Sequence, residues 1–260
     1  MSEERRDGVP PRPDALHPAP PRDGTANDPT PTWGPLEALW VYLTALLTVA
    51  LLATPFFGLF PDSSTARGLA SIAVALAQAG VLLAWLRWRH PGAAAAIGLR
   101  APERLRALLA GIRFGIVLYP ATVLVAGTAL QALLGFLTGG TVSPPQQIPS
   151  DLPPLGVAVF GVYAVVVAPF AEELFFRGIL FSALEARRGF GVAALLSSLA
   201  FAAVHYVPAP WPDAVLLMAV MIPTGFGLAW IRSRRGSLYA SIGAHLAFNV
   251  IGLALIAVFR

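Results

Sequence analysis

Seven apolar stretches, set apart by short polar connectors, follow one another from about residue 36 to residue 258. A helix needs about 20 mainly apolar residues to cross the hydrocarbon core of a bilayer. On that measure the pattern predicts helices over 36–60, 68–86, 108–137, 155–184, 190–206, 213–231 and 237–258. The fifth is short, and the third and fourth are long enough to tilt or to leave the bilayer. The fold class implied is all-α: a polytopic integral membrane helical bundle of about seven to eight transmembrane helices. Residues 87–106, with Pro91 and Pro102, interrupt the pattern and are expected to form an interfacial connector.

Composition agrees, with 56% hydrophobic residues, 12% charged residues and a mean hydropathy of +0.68. A soluble domain carries about a quarter charged residues. Before the first stretch, residues 1–33 are rich in Pro, Asp, Arg and Gly and bring few large apolar side chains. They are expected to be a disordered cytoplasmic tail ahead of a helical membrane domain over 34–260. The pair Arg5-Arg6 is followed by neither a short apolar core nor a small-residue cleavage site, so the first apolar helix is expected to act as an uncleaved insertion signal.

All 18 basic residues are Arg, and the sequence pI is about 10.1. Their distribution argues against nucleic acid as a partner. Arg87, Arg89, Arg100, Arg104 and Arg106 follow the second stretch, Arg187 and Arg188 the fourth, and Arg232, Arg234 and Arg235 the sixth. The alternate connectors hold only Arg67. The positive-inside rule places the Arg-rich connectors and the N-terminus in the cytoplasm, with membrane lipids as the immediate surroundings. Cysteine is absent, which excludes disulfides, thiolate nucleophiles and Cys-ligated metals.

A few polar side chains interrupt the apolar stretches in the second half. The fourth carries Glu172-Glu173-x-x-x-Arg177, the fifth Phe201-x-x-x-His205 and the seventh His245-x-x-x-Asn249. Ionisable groups in hydrocarbon cost several kcal/mol each, about 3 on insertion scales, and mark functional positions. Glu173 and Arg177, four apart, share a helix face and can pair. Glu172 is turned about 100° away and lacks that partner. Pro169, one turn earlier, removes a helix hydrogen bond and is expected to free the carbonyl of Val165. Each His alone, or Asn249 as interhelical glue, has a plain structural reading. Depth is the argument against it. Glu172 lies roughly 22 Å before Arg187, His205 roughly 22 Å after Phe190, and His245 and Asn249 roughly 12 and 18 Å after Ser237, at 1.5 Å per residue. Three helices thus bring polar groups to similar levels inside the bilayer.

Carboxylate and imidazole together can activate water, with or without a metal. Glu172 would serve as general base on a water that His205 orients, or both would bind a metal. His245 and Asn249 would donate hydrogen bonds to an oxyanion. Glu173, held by Arg177, would orient them. Gly225, Gly227 and Gly243 are small residues at which helices can approach closely. Glu37, at the start of the first stretch, has no evident partner, and Arg113 is expected to snorkel to the cytoplasmic interface.

On these three motifs, in this order, residues 155–255 resemble the CPBP family of intramembrane proteases, which includes CAAX prenyl endopeptidases and bacterial relatives linked to bacteriocin processing or immunity. The resemblance implies an endopeptidase with a cavity open to the cytoplasmic side. It would cut membrane-associated or prenyl/CAAX-like peptides, with Glu172 and His205 activating water and His245 and Asn249 as the oxyanion site. Both metal-assisted and metal-free mechanisms are ascribed to the family. Glu172, His205 and His245 would suit Zn by ligand type, although the close-spaced His-Glu-x-x-His signature is absent. An Arg-only, Ala-rich chain suggests the inner membrane of a bacterium, with a membrane-anchored peptide or protein as substrate. Two other readings stand beside it: a non-catalytic immunity or scaffolding protein of the same fold, and a transporter. Against the transporter, no internal repeat is visible and the polar groups all lie in the second half.

Overall fold

A computed structural model of the chain describes residues 30–59, 63–100, 103–145 and 152–259. Helix α1 spans Pro35–Leu59, α2 Ser64–Arg89, and α3 is a single turn at Ala93–Ala96. Helix α4 spans Arg104–Thr138 and is π-helical over Pro120–Gly127. The next helical run, Pro154–Val204, is broken at Gly189 (φ 72°, ψ 172°), a conformation essentially closed to residues with a Cβ. The break divides it into α5 (154–188) and α6 (190–204). Helices α7 (Trp211–Arg235) and α8 (Leu238–Phe259) complete the bundle. Six helical runs among the described residues are long and apolar enough to cross a membrane, the divided run counting once. The protein is an integral membrane protein. Leu36, Trp40, Leu47, Leu52 and Phe136 stay largely exposed, as lipid-facing side chains should.

Most helices run about a turn past their predicted ends. The apolar pattern stops at the first Arg, whereas the helix continues and the long Arg side chain carries its charge outward. The tail expected over 1–33 lies outside the described residues as far as residue 29. Trp33 itself is core: 1% exposed, with its indole Nε1 donating to the Ile179 carbonyl at 3.1 Å. The ring stands edge-on to Trp85 and His90.

The structure corrects two expectations here. Glu37 does have a partner: its Oε1 lies 3.1 Å from His90 Nε2, and His90 Nδ1 accepts from the Thr32 hydroxyl at 2.7 Å. The connector after α2 is not merely interfacial, because Ile97 is fully buried and the Gly98 carbonyl accepts from the Leu238 amide. Neither contact follows from local sequence, since both join segments dozens of residues apart.

The Arg-rich connectors meet at one end of the bundle. Arg232 Nη2 donates to the Ala96 carbonyl, and the Ser233 hydroxyl donates to Glu185. From that end α5 and α6 form an antiparallel hairpin about Gly189. Phe176 packs edge-on against Phe201, and Phe181 against Phe190.

Helix α8 is held against α4 almost backbone to backbone. A Cβ on Gly111 would stand 2.0 Å from the Ala240 carbonyl oxygen, and one on Gly115 2.3 Å from that of Ala244. From the other side, a Cβ on Gly243 would stand 2.3 Å from the Leu108 carbonyl oxygen. This is a small-residue contact of the Gly-x-x-x-Gly kind, which lets transmembrane helices touch without intervening side chains. It fixes the helix that carries His245 and Asn249.

Candidate functional site

Three helices converge on a cavity of about 540 Å³. Helix α5 contributes Glu172, α6 contributes Phe201 and His205, and α8 contributes His245 and Asn249. Glu172 Oε2 lies 3.8 Å from Nε2 of His205 and 3.8 Å from Nε2 of His245. That oxygen is buried and has no hydrogen-bond partner. The structure thus brings together the polar groups that the sequence places on separate helices.

Each imidazole is oriented by its other nitrogen. His205 Nδ1 donates to the Phe201 carbonyl at 2.8 Å. This contact forms where α6 ends, and it fixes the tautomer so that Nε2 offers a lone pair to the cavity. His245 Nδ1 lies 3.0 Å from Glu173 Oε1, an acceptor, and must therefore carry its proton. Glu173 in turn is paired at 2.9 Å with Arg177 Nη1, and both side chains are completely buried. Arg177 also donates from Nη2 to the Gly225 carbonyl of α7 at 3.1 Å, and its guanidinium lies 4.3 Å over the Phe201 ring. Glu173 and Arg177 accordingly stand behind the site, facing the back of His245, while Glu172 faces the cavity.

Asn249 has a partner that the sequence pattern mislocates. Residues Tyr163–Val167 are π-helical, and the Ala168 amide donates five residues back to the Tyr163 carbonyl. In that register Pro169, which has no N–H, leaves the carbonyl of Ala164 unpaired, not that of Val165. Asn249 Nδ2 donates to this carbonyl at 2.7 Å. One amide proton is thus committed to closing a gap in α5, and the other is free for the cavity. A second π-helical turn, Leu174–Leu180, follows the glutamates directly; such turns recur at functional sites.

The remaining walls come from residues outside the three motifs: Tyr42 on α1, Gln78 on α2, Tyr119 on α4, Tyr163 on α5 and Thr224 on α7. Gln78 is the one such residue that the sequence could have marked, as an amide in the middle of an apolar helix.

Nε2 of His205, Nε2 of His245 and Oε2 of Glu172 are the donors available to a metal. In a tetrahedral zinc shell neighbouring ligand atoms stand about 3.4 Å apart. Both nitrogen–oxygen separations here exceed that, and among the described residues no His/Cys/Asp/Glu group closes to a metal-holding set. As placed, the three donors stand wider apart than in a closed tetrahedral shell.

Fold and site together define a polytopic helical membrane protein with a buried carboxylate–imidazole centre. Residues 154–251 match the model of the Rce1-like family, described as type II CAAX prenyl endopeptidase Rce1-like. The chain is also 34% identical over 88 residues to "Putative membrane peptidase YdiL" of Bacillus subtilis (strain 168), an alignment covering 34% of this chain and 33% of the relative. The chain thus aligns with about a third of the length of the curated relative it matches. No solved structure matches the chain significantly. The matched stretch holds all three motifs, so the family resemblance read from them holds over this part of the chain. At family level the match is to membrane proteases.

Proposed function

We propose that the protein is an intramembrane endopeptidase that hydrolyses peptide bonds of membrane-anchored substrates with a water activated by Glu172. The observation that carries this reading is the meeting of Glu172 Oε2 with two imidazole Nε2 atoms, each at 3.8 Å, in one cavity within the helices. A separation of 3.8 Å is too long for a direct hydrogen bond. It suits a bridging water: at about 2.8 Å from both atoms, that water subtends about 85°, close to its own bond angle.

The water gives one hydrogen bond to Glu172 and the other to the lone pair of His205 Nε2. As its oxygen attacks the scissile carbonyl, Glu172 takes its proton. The carbonyl oxygen becomes an oxyanion, facing the free amide proton of Asn249 and His245 Nε2. With Nδ1–H committed to Glu173, His245 donates from Nε2 only when that nitrogen also carries a proton. Arg177 holds Glu173 in place for that task. The proton on Glu172 then passes to the leaving nitrogen, and the C–N bond breaks. The Arg-rich end of the bundle is assigned to the cytoplasm.

The test is cleavage of a panel of membrane-anchored fluorogenic peptides by the protein in lipid nanodiscs, comparing wild type with Glu172→Gln, each with and without a chelator. Cleavage that is lost in the variant and indifferent to chelator is expected. Loss to the chelator, restored by added Zn, would replace the metal-free route with a metal-assisted one. Equal cleavage by wild type and variant would refute the assignment of Glu172. A panel that neither protein cuts would favour the immunity or scaffolding alternative.

A further inference from the structure

The walls of the cavity all run one way from the site. On α5 they are formed by residues from Phe160 to Glu172 and by none beyond it, and on α8 they begin at His245 and continue to Ile256. Helix α1 starts at the Arg-rich end, where a Cβ on Gly34 would lie 4.0 Å from Arg187 Nη2, and reaches the cavity only at Tyr42 and Leu46. Glu172 and His245 therefore form a floor. The shaft above it points away from the Arg-rich connectors, ringed by α1, α2 and α4–α8. Ile256 stands 11 residues past His245, so the shaft is about 16 Å deep at 1.5 Å per residue. Below the floor Arg177, Phe181, Ser198, Leu238 and Ser241 are completely buried, which leaves no passage to the Arg-rich end among the described residues.

We infer that the Glu172 centre is reached from the membrane face opposite the Arg-rich connectors, by an extended and mainly apolar peptide segment presented there. With those connectors in the cytoplasm, that face is the external one. The family resemblance by itself implies a cytoplasmic opening, and the direction of the walls reverses it. Leu46, Phe160, Leu253 and Ile256 make the shaft largely apolar, so its preferred occupant is apolar too. The carbonyls of a helix are engaged one turn on, whereas an extended segment offers its carbonyl to the water at Glu172. At about 3.3 Å per residue, about five extended residues span the shaft. The inference rests on the peptidase reading for the ligand being a peptide, but not for the route.

The chain has no cysteine, so single cysteines report access without a background. Leu253→Cys puts a thiol in the wall of the shaft, and Arg188→Cys puts one at the exposed Arg-rich turn. Each full-length variant, in spheroplasts and in inverted membrane vesicles, is treated with a membrane-impermeant sulfonated maleimide. Leu253→Cys should be labelled in spheroplasts only, and Arg188→Cys in inverted vesicles only. Labelling of both from the same side, no labelling of Leu253→Cys from either side, or the two sides exchanged would each overturn the inference. A second arm reads cleavage of two reporters that carry the same apolar segment on one or the other side of a membrane anchor of fixed orientation. Glu172-dependent cleavage is expected for the external segment and is absent for the cytoplasmic one. If labelling is as expected and neither reporter is cut, the route stands and the peptidase reading falls. Glu172-dependent cleavage of the cytoplasmic segment keeps the peptidase reading and overturns the inference.

Discussion

Arg177→Met is the perturbation whose size the structure fixes best. The side chain is fully buried and lies 2.9 Å from Glu173, 3.1 Å from the Gly225 carbonyl, and 4.3 and 5.8 Å from the centres of the Phe201 and Phe176 rings. Met fills much of the same volume, so little cavity is created and the loss is mainly electrostatic. Removing one partner of a buried ion pair costs about 3–5 kcal/mol, because the other charge is left without compensation. The Gly225 carbonyl and the ring contact would add about 1–2 kcal/mol each if independent. They share one side chain, so the pair figure sets the scale. At about 2–4 °C per kcal/mol for a domain of this size, Tm in detergent should fall by about 6–20 °C. The double variant Arg177→Met/Glu173→Gln should recover at least half of that, since no charge is stranded. Thermal unfolding monitored by tryptophan fluorescence gives the comparison. A single variant within 2 °C of wild type, or a double variant less stable than the single, would refute the account of Arg177 as counter-charge to Glu173.

Asn249→Ala should lower stability by about 1–3 kcal/mol, because the Ala164 carbonyl loses its donor. Pro169→Ala restores a backbone N–H one π-turn later and should shrink that penalty, as a double-mutant cycle of Tm values would show; strictly additive effects would contradict the π-register account. Gly115→Leu should displace α8 from α4 and cut peptide cleavage by more than tenfold while membrane insertion persists, read by cleavage rate and expression level in the membrane fraction. Glu172→Gln, by contrast, should abolish cleavage and leave Tm within about 3 °C of wild type, since Glu172 makes no hydrogen bond through its buried oxygen.

The parts of this molecule legible in the sequence are those set by spacing along one helix. Apolar length marks the helices, and four-residue intervals pair Glu173 with Arg177 and put His245 above Asn249. Similar distances from the Arg-rich connectors bring Glu172, His205 and His245 to one level. What depends on the rotation of one helix against another is not written locally. Gln78 lies almost a hundred residues before Glu172, and nothing in its own helix says which way it faces. Gly111 and Gly115 form a recognisable small-residue interval, yet only the packing shows that α8 occupies it. The carbonyl freed by Pro169 shifts by one residue because π-turns redirect hydrogen bonding. Glu37 finds His90 only once α1 and α2 are side by side.

The turn at Gly189 also makes the site a matter of counting. Glu172 stands 17 residues before it and His205 stands 16 after, so the two arms of the hairpin are matched rulers, each about 25 Å long. Their free ends meet only because the arms are equal. Inserting or deleting one residue on either arm would slide one end by about 1.5 Å and swing it by about 100°, carrying the carboxylate or the imidazole out of register with its partner. The carboxylate–imidazole centre is thus held to tolerance by the length of two helices and the position of a single glycine at their fold.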